Sequence, residues 1–127
     1  MSFATDLHAF HLKYGFYDEP FTTSKLAFRV DLLDEELNEL KEAISTEDAE
    51  NVVDALIDLI YIATGTLDLA GIDIPRAWSA VHDANMTKIR GVKPGREQSG
   101  GFDVIKPNGW EAPSHEGNHG CLPTILA

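Results

Sequence analysis

Two aspartates, Asp54 and Asp58, stand inside the most apolar stretch of the chain, Val52-Val53-Asp54-Ala55-Leu56-Ile57-Asp58-Leu59-Ile60-Tyr61-Ile62-Ala63. The run reads as a helix, in which a spacing of four sets both carboxylates on one face, a turn apart. The residues around them are hydrophobic, so this helix is expected to be buried on most sides. Two like charges held together in such surroundings are costly unless a cation compensates them. No Lys or Arg lies between Lys41 and Arg76, so the helix supplies no basic partner of its own. A bound divalent metal is the economical expectation. The alternative is a buried pair satisfied by hydrogen bonds or by protonation of one acid.

The rest of the chain is helical in period as far as Gly91. Phe3, Leu7, Phe10 and Tyr14 recur at steps of four, three and four, with Ser2 placed to cap and Gly15 to end the first helix. After a loop containing Pro20, Thr22, Thr23 and Ser24 offer caps for a long second helix. Its stripe of Leu26, Val30, Leu33, Leu37, Leu40 and Ile44 is expected to face the core. Ser45 and Thr46 separate it from a third helix, predicted from Glu47 to Ala70, with Glu47, Asp48 and Glu50 at the positive end of its dipole. Pro75 suits the first turn of a fourth helix, predicted to run to Gly91 with Trp78, Val81, Asn85 and Ile89 on one face. Beyond it glycines and prolines accumulate, and an irregular, mobile tail is expected, with a short strand over Phe102-Asp103-Val104-Ile105. The fold class is therefore all-α, a four-helix bundle over residues 1–91 followed by a loop-rich tail over 92–127.

Composition narrows the partners. The formal charge of −11 argues against sequence-independent binding of nucleic acid, which needs phosphate-neutralising cations. It leaves room for a small anionic ligand wherever metal ions reverse the local field. Acids interrupt the longest apolar run, so no membrane span is expected. Met1-Ser2-Phe3-Ala4-Thr5-Asp6 lacks the features of a signal peptide and Cys121 is a single cysteine, so the expected location is cytoplasmic.

On the second helix, Glu35, Glu36 and Glu39 fill a continuous sector of roughly 100° beside the leucine stripe, taking about 100° per residue. Glu36 lies closest to the core edge. A short connection favours antiparallel packing of the second and third helices, which brings this sector towards Asp54 and Asp58. Oxygen-rich clusters of that kind select hard cations, Mg²⁺ or Mn²⁺. Taken alone, the three glutamates read as a solvated face; the two clusters together favour metal binding.

Three segments carry a resemblance: Glu35-Glu36-Leu37-Asn38-Glu39, Asp54-Ala55-Leu56-Ile57-Asp58-Leu59-Ile60-Tyr61, and Val81-His82-Asp83-Ala84-Asn85-Met86-Thr87-Lys88. Together they resemble the all-α nucleoside triphosphate pyrophosphohydrolases, the MazG-like superfamily. Its pattern is E-E-x-x-E on one helix, E-x-x-D on the next, then an Asn and a Lys on another. Phe10-His11 and Val104-Ile105-Lys106-Pro107 near Trp110 are similar to the phosphoribosyl-ATP-pyrophosphohydrolase-like branch. One position departs: where the pattern expects Glu, three before Asp58, this chain has Ala55, and the acid is Asp54.

The resemblance implies hydrolysis between the α and β phosphates of a nucleoside triphosphate, with Mg²⁺ or Mn²⁺ as cofactor. It implies Glu36, Glu39, Asp54 and Asp58 as metal ligands and Glu35 as the residue that orients or deprotonates water. Asn85, Lys88, Arg90 and Lys93 fall to the phosphates, and a homodimer or homotetramer is implied. Tyr61 and Trp78 are candidates for stacking the base. The short form with a glycine-rich tail is similar to phage-borne members of the MazZ type, which implies purine substrates such as dGTP. Pyrimidine dNTPs, phosphoribosyl-ATP, and a noncatalytic metal- or nucleotide-binding regulatory bundle stay open. His115, His119 and Cys121 admit a zinc reading but lack a fourth ligand at suitable spacing.

Overall fold

The computed structural model describes residues 2–127. Among them are five helices and one small hairpin: α1 (Phe3–Lys13), α2 (Thr23–Ser45), α3 (Ala49–Leu69), α4 (Ile74–Asn85), β1 (Ile89–Arg90), β2 (Val104–Ile105) and α5 (Leu122–Ile125). The chain folds as two compact units, one running through Ile74 and taking in Asn118–Ala127, the other Pro75–Gly117. The fold is mostly helical, as an all-α reading requires. None of the described helices is long and apolar enough to cross a membrane.

In the first unit, polar side chains set the helix starts by accepting amide protons that have no partner in the first turn. Ser2 accepts from Thr5 N–H, Thr22 from Lys25 N–H and Asp48 from Asn51 N–H. Helix α3 begins two residues later than its acidic residues suggest. Glu47 has a left-handed φ of 55°, and Asp48 N–H returns to the Ala43 carbonyl, so both serve the turn that closes α2. Arg29 of α2 reaches Ile62 and Thr66 of α3, whereas Glu36, further along α2, meets Asp58, earlier on α3; the two helices therefore run antiparallel.

Helix α1 packs on α3 at Gly65. A Cβ there would lie 3.1 Å from Leu7 Cδ1 and 3.5 Å from His11 Cε1, so hydrogen is the side chain this approach admits. The fully buried positions are mostly small: Ala43, Ala55 and Ala70 accompany Leu7, which is 2 % exposed.

Burial of α3 on most sides is not what the structure shows. Val53 is 62 % and Ile57 54 % exposed, with Leu56 and Ile60 also open to solvent. On α2 the stripe divides: Leu26, Leu33 and Leu40 are half-buried, whereas Val30, Leu37 and Ile44 are exposed. The reason is geometric, since within this unit only α1 and α2 pack along α3, and they cover one side of it.

The last ten residues belong to this helical unit rather than to a mobile tail. Asn118 exchanges hydrogen bonds with the Asp73 backbone at 2.8 and 2.9 Å, Cys121 N–H donates to Ala70 O, and Thr23 donates to the Ile125 carbonyl. Gly120, at φ 53°, lies so close that a Cβ would fall 1.9 Å from Ala70 O.

In the second unit α4 stops at Asn85, six residues before Gly91. The Ala84 carbonyl takes Thr87 N–H, the Thr87 hydroxyl and Trp110 Nε1–H, which draws the chain out of the helix. It continues as β1, paired antiparallel with β2 as Ile89↔Ile105 and Arg90↔Val104. Ile89 therefore leaves the face assigned to it with Trp78, Val81 and Asn85, and Trp78 itself is 70 % exposed.

Candidate functional site: acids shared by two helices

Glu36 lies on the side of α2 that meets α3, and its neighbours are other acids. It contacts Glu39 one turn on and Asp58 across the helix pair, and Asp58 in turn contacts Asp54 one turn back. Acids from the two helices therefore meet as successive pairs, Glu39–Glu36, Glu36–Asp58 and Asp58–Asp54, rather than converging on one point. Contacts between carboxyl groups at this range need either shared protons or a counter-cation.

The electrostatics record that strain. Burial is the largest cause that pushes Glu36 up to about 7, with the hydrogen bond to Glu39 and the charges of Asp58, Glu39 and Glu35 adding to it. Asp58 is also raised, first by burial and then by the charges of Asp54 and Glu39, while its hydrogen bond with Glu36 works the other way. Glu36 Oε2 is buried and lacks a hydrogen-bond partner. An orphaned carboxylate oxygen among like charges fits a hard divalent cation. The acids nevertheless touch as successive pairs. Among the described residues no three His, Cys, Asp or Glu side chains gather as a ready metal cage, His115, His119 and Cys121 included.

Glu35, Glu39 and Asp54 are exposed, whereas Glu36 and Asp58 are half-buried. Ala55, at the position where an acid is expected, is buried at 3 % exposure; that position serves packing, and the second acid of α3 is Asp54.

Tyr61 lies one turn beyond Asp58, and its ring meets Phe10 edge-on at 5.5 Å. Phe10 also contacts Tyr14 and Phe16, so an aromatic cluster adjoins the acids. Nearer the start of α2, Arg29 donates from Nε to Thr66 Oγ1 at 3.0 Å and from Nη2 to Ile62 O at 2.9 Å. Burial lowers its pKa.

One network around a buried histidine had no signal in the sequence beyond the Phe10-His11 pair. His11 is fully buried, with Nδ1 2.5 Å from Asp68 Oδ2, and Tyr17 donates its hydroxyl to the same oxygen. Burial and the Asp68 contact raise the Tyr17 pKa. His8 Nδ1, 2.8 Å from the Tyr17 oxygen, extends the network to the surface. The partners are 57 and 51 residues apart in sequence, a separation that helical periodicity does not register.

The remaining candidates lie in the second unit. Asn85 is the exposed last residue of α4. Lys88 has left the helix, and its Nζ stands 5.2 Å from the centre of the Trp110 ring. Lys88 and Lys93 line one cleft, whereas Arg90 donates from Nε to Gly101 O and is not part of that lining.

Against known proteins, the model of one family, described as phosphoribosyl-ATP pyrophosphohydrolase, matches residues 13–85, more than half of the chain. The match takes in α2, α3 and α4, and with them every acid of the cluster. No curated protein matches the chain.

Proposed function

The chain belongs to the phosphoribosyl-ATP pyrophosphohydrolase family, and from that premise we propose that it is a metal-dependent nucleoside triphosphate pyrophosphohydrolase. The reaction is cleavage of a (d)NTP between its α and β phosphates, giving the (d)NMP and pyrophosphate. A purine nucleotide such as dGTP is the favoured substrate. The observation that carries this reading is the chain of contacting acids, Glu39, Glu36, Asp58 and Asp54, across two helices.

In this reading Glu36, Glu39, Asp54 and Asp58 hold Mg²⁺, with Mn²⁺ able to replace it. When bound, the metal supplies charge neutralisation at the phosphate oxygens and lowers the pKa of water. Glu35, exposed at the edge of the cluster, takes the proton of the attacking water. Asn85, Lys88, Arg90 and Lys93 hold the phosphates, the lysines acting as compact point charges. Tyr61, beside Asp58 and backed by Phe10, is placed to stack a base, and Trp78 offers a second exposed ring.

The open apolar faces of α2 and α3 support assembly. Val53, Ile57, Leu37 and Ile44 are too much exposed hydrophobic surface for a chain that works alone, and a homodimer or homotetramer covers it.

The test is a panel of ribo- and deoxynucleoside triphosphates and phosphoribosyl-ATP, incubated with purified protein and Mg²⁺ or Mn²⁺ and read for product. Nucleoside monophosphate plus pyrophosphate supports the proposal. Orthophosphate as the first product, or metal and nucleotide binding without turnover, refutes it, the latter in favour of a regulatory bundle.

A further inference from the structure

Charge is segregated along this chain. Residues 75–117 carry six Lys and Arg against five Asp and Glu, a net +1, whereas the rest of the chain, with four against sixteen, is at −12. Four of those six cations, Lys88, Lys93, Arg96 and Lys106, line a single cleft of about 450 Å³ in the second unit, together with Val104 and Ile105 of β2 or its edge. The hairpin builds it: β1 and β2 pair side by side, and Gly91 lets the Ile105 side chain come within 3.0 Å of where a Cβ would stand, which closes the apolar floor.

The cations are poorly compensated from within. Arg96 is held in place by Asp103, at 2.9 Å from Nε and 3.0 Å from Nη2. Among the described residues no carboxylate pairs with Lys88, Lys93 or Lys106. Lys88 and Lys106 instead place their Nζ atoms at 5.2 and 5.1 Å from the same Trp110 ring. Two ammonium groups drawn to one ring repel each other, and cation–π attraction offsets that only in part.

We propose that this cleft binds the diphosphate group of a small anion, without the help of metal. Three uncompensated cations around a compact space suit a multiply charged diphosphate better than a monophosphate. The patch is too short, and the chain too acidic, for a nucleic-acid backbone. Arg96 and Lys106 thereby join Lys88 and Lys93 as anion-holding residues of this cleft, whose lining does not include Arg90. The inference rests on the proposed hydrolase only for the origin of the diphosphate, either free pyrophosphate or the outer phosphates of a nucleotide.

Titration calorimetry of the full chain in EDTA tests it, with inorganic pyrophosphate, ATP and orthophosphate as separate probes. Pyrophosphate binding is expected, weakened about tenfold in Lys106→Gln and in Lys93→Gln and unchanged in Lys13→Gln. Orthophosphate is expected to bind at least tenfold more weakly. ATP competing with pyrophosphate for the same residues identifies the nucleotide as the source; pyrophosphate binding alone identifies the free product. No metal-free binding, equal binding by Lys106→Gln and Lys93→Gln, or tighter binding of a short oligonucleotide at the same lysines overturns the proposal. Because no metal is present, these outcomes are independent of whether the acidic cluster supports turnover.

Discussion

Replacing Gly65 by alanine sets two effects of known sign against each other. In a helix interior alanine is favoured over glycine by about 1 kcal/mol, through the entropy glycine loses on folding. The added Cβ, however, falls 2.6 Å from Arg29 Nη2 and 3.1 Å from Leu7 Cδ1. Leu7 is 2 % exposed and cannot retreat, so overpacking at that contact costs about 1–3 kcal/mol. The Arg29 end can move, but only by giving up its bond to Ile62 O, worth about 1.5 kcal/mol at the low end for a charged donor. The low end applies because Ile62 O keeps the Thr66 hydroxyl, at 2.7 Å. The net expectation is a loss of about 1.5–3.5 kcal/mol. For a chain of this size that is a fall in Tm of roughly 5–13 °C. Circular dichroism melts in EDTA, at fixed protein concentration and pH, measure it. An unchanged or higher Tm would refute the close packing of α1, Arg29 and α3 at this glycine.

The acidic cluster makes the metal-free protein sensitive to pH in a definite direction. Glu36 and Asp58 are raised above their unfolded values, so the folded state binds more protons, and their contribution is fully present below the unfolded pKa and lost as pH rises through the folded one. For Glu36 that window runs from 4.5 to about 7. In EDTA the Tm is expected to fall across it, and to fall less in Glu36→Gln; identical slopes in the two proteins would count against the cluster. Asp58→Asn is expected to keep the helical fold and reduce pyrophosphate release by at least about a hundredfold, and full activity in that variant would exclude Asp58 from the chemistry. Val53→Lys with Ile57→Lys is expected to leave helicity intact and reduce the sedimenting mass to that of one chain, an outcome that fails if the wild type already sediments as a monomer.

The helices were legible because their signals are local. Ser2, Thr22 and Asp48 bond to amides three residues away, and the apolar periods of α1, α2 and α3 show which residues share a face. The end of α4 was not legible, because what stops it is the Ala84 carbonyl accepting a hydrogen bond from Trp110 Nε1–H, 26 residues on. The return of Asn118–Ala127 to the helical unit was hidden for the same reason: glycine and proline content describes a local chain, whereas Asn118 is held by Asp73.

For the acids, what the sequence makes legible is which of them share a helix face. Spacing along one helix fixes the pair Asp54 and Asp58, and likewise Glu36 and Glu39, since the turn is set by backbone geometry alone. That Glu36 should meet Asp58 with one oxygen buried and unpartnered was decided by the packing of α2 against α3, where Arg29 is tied to Ile62 and Thr66. Sequence alone thus determined which side chains travel together along each helix. Tertiary packing decided which faces meet, because contact across helices depends on the shapes of residues far apart in the chain.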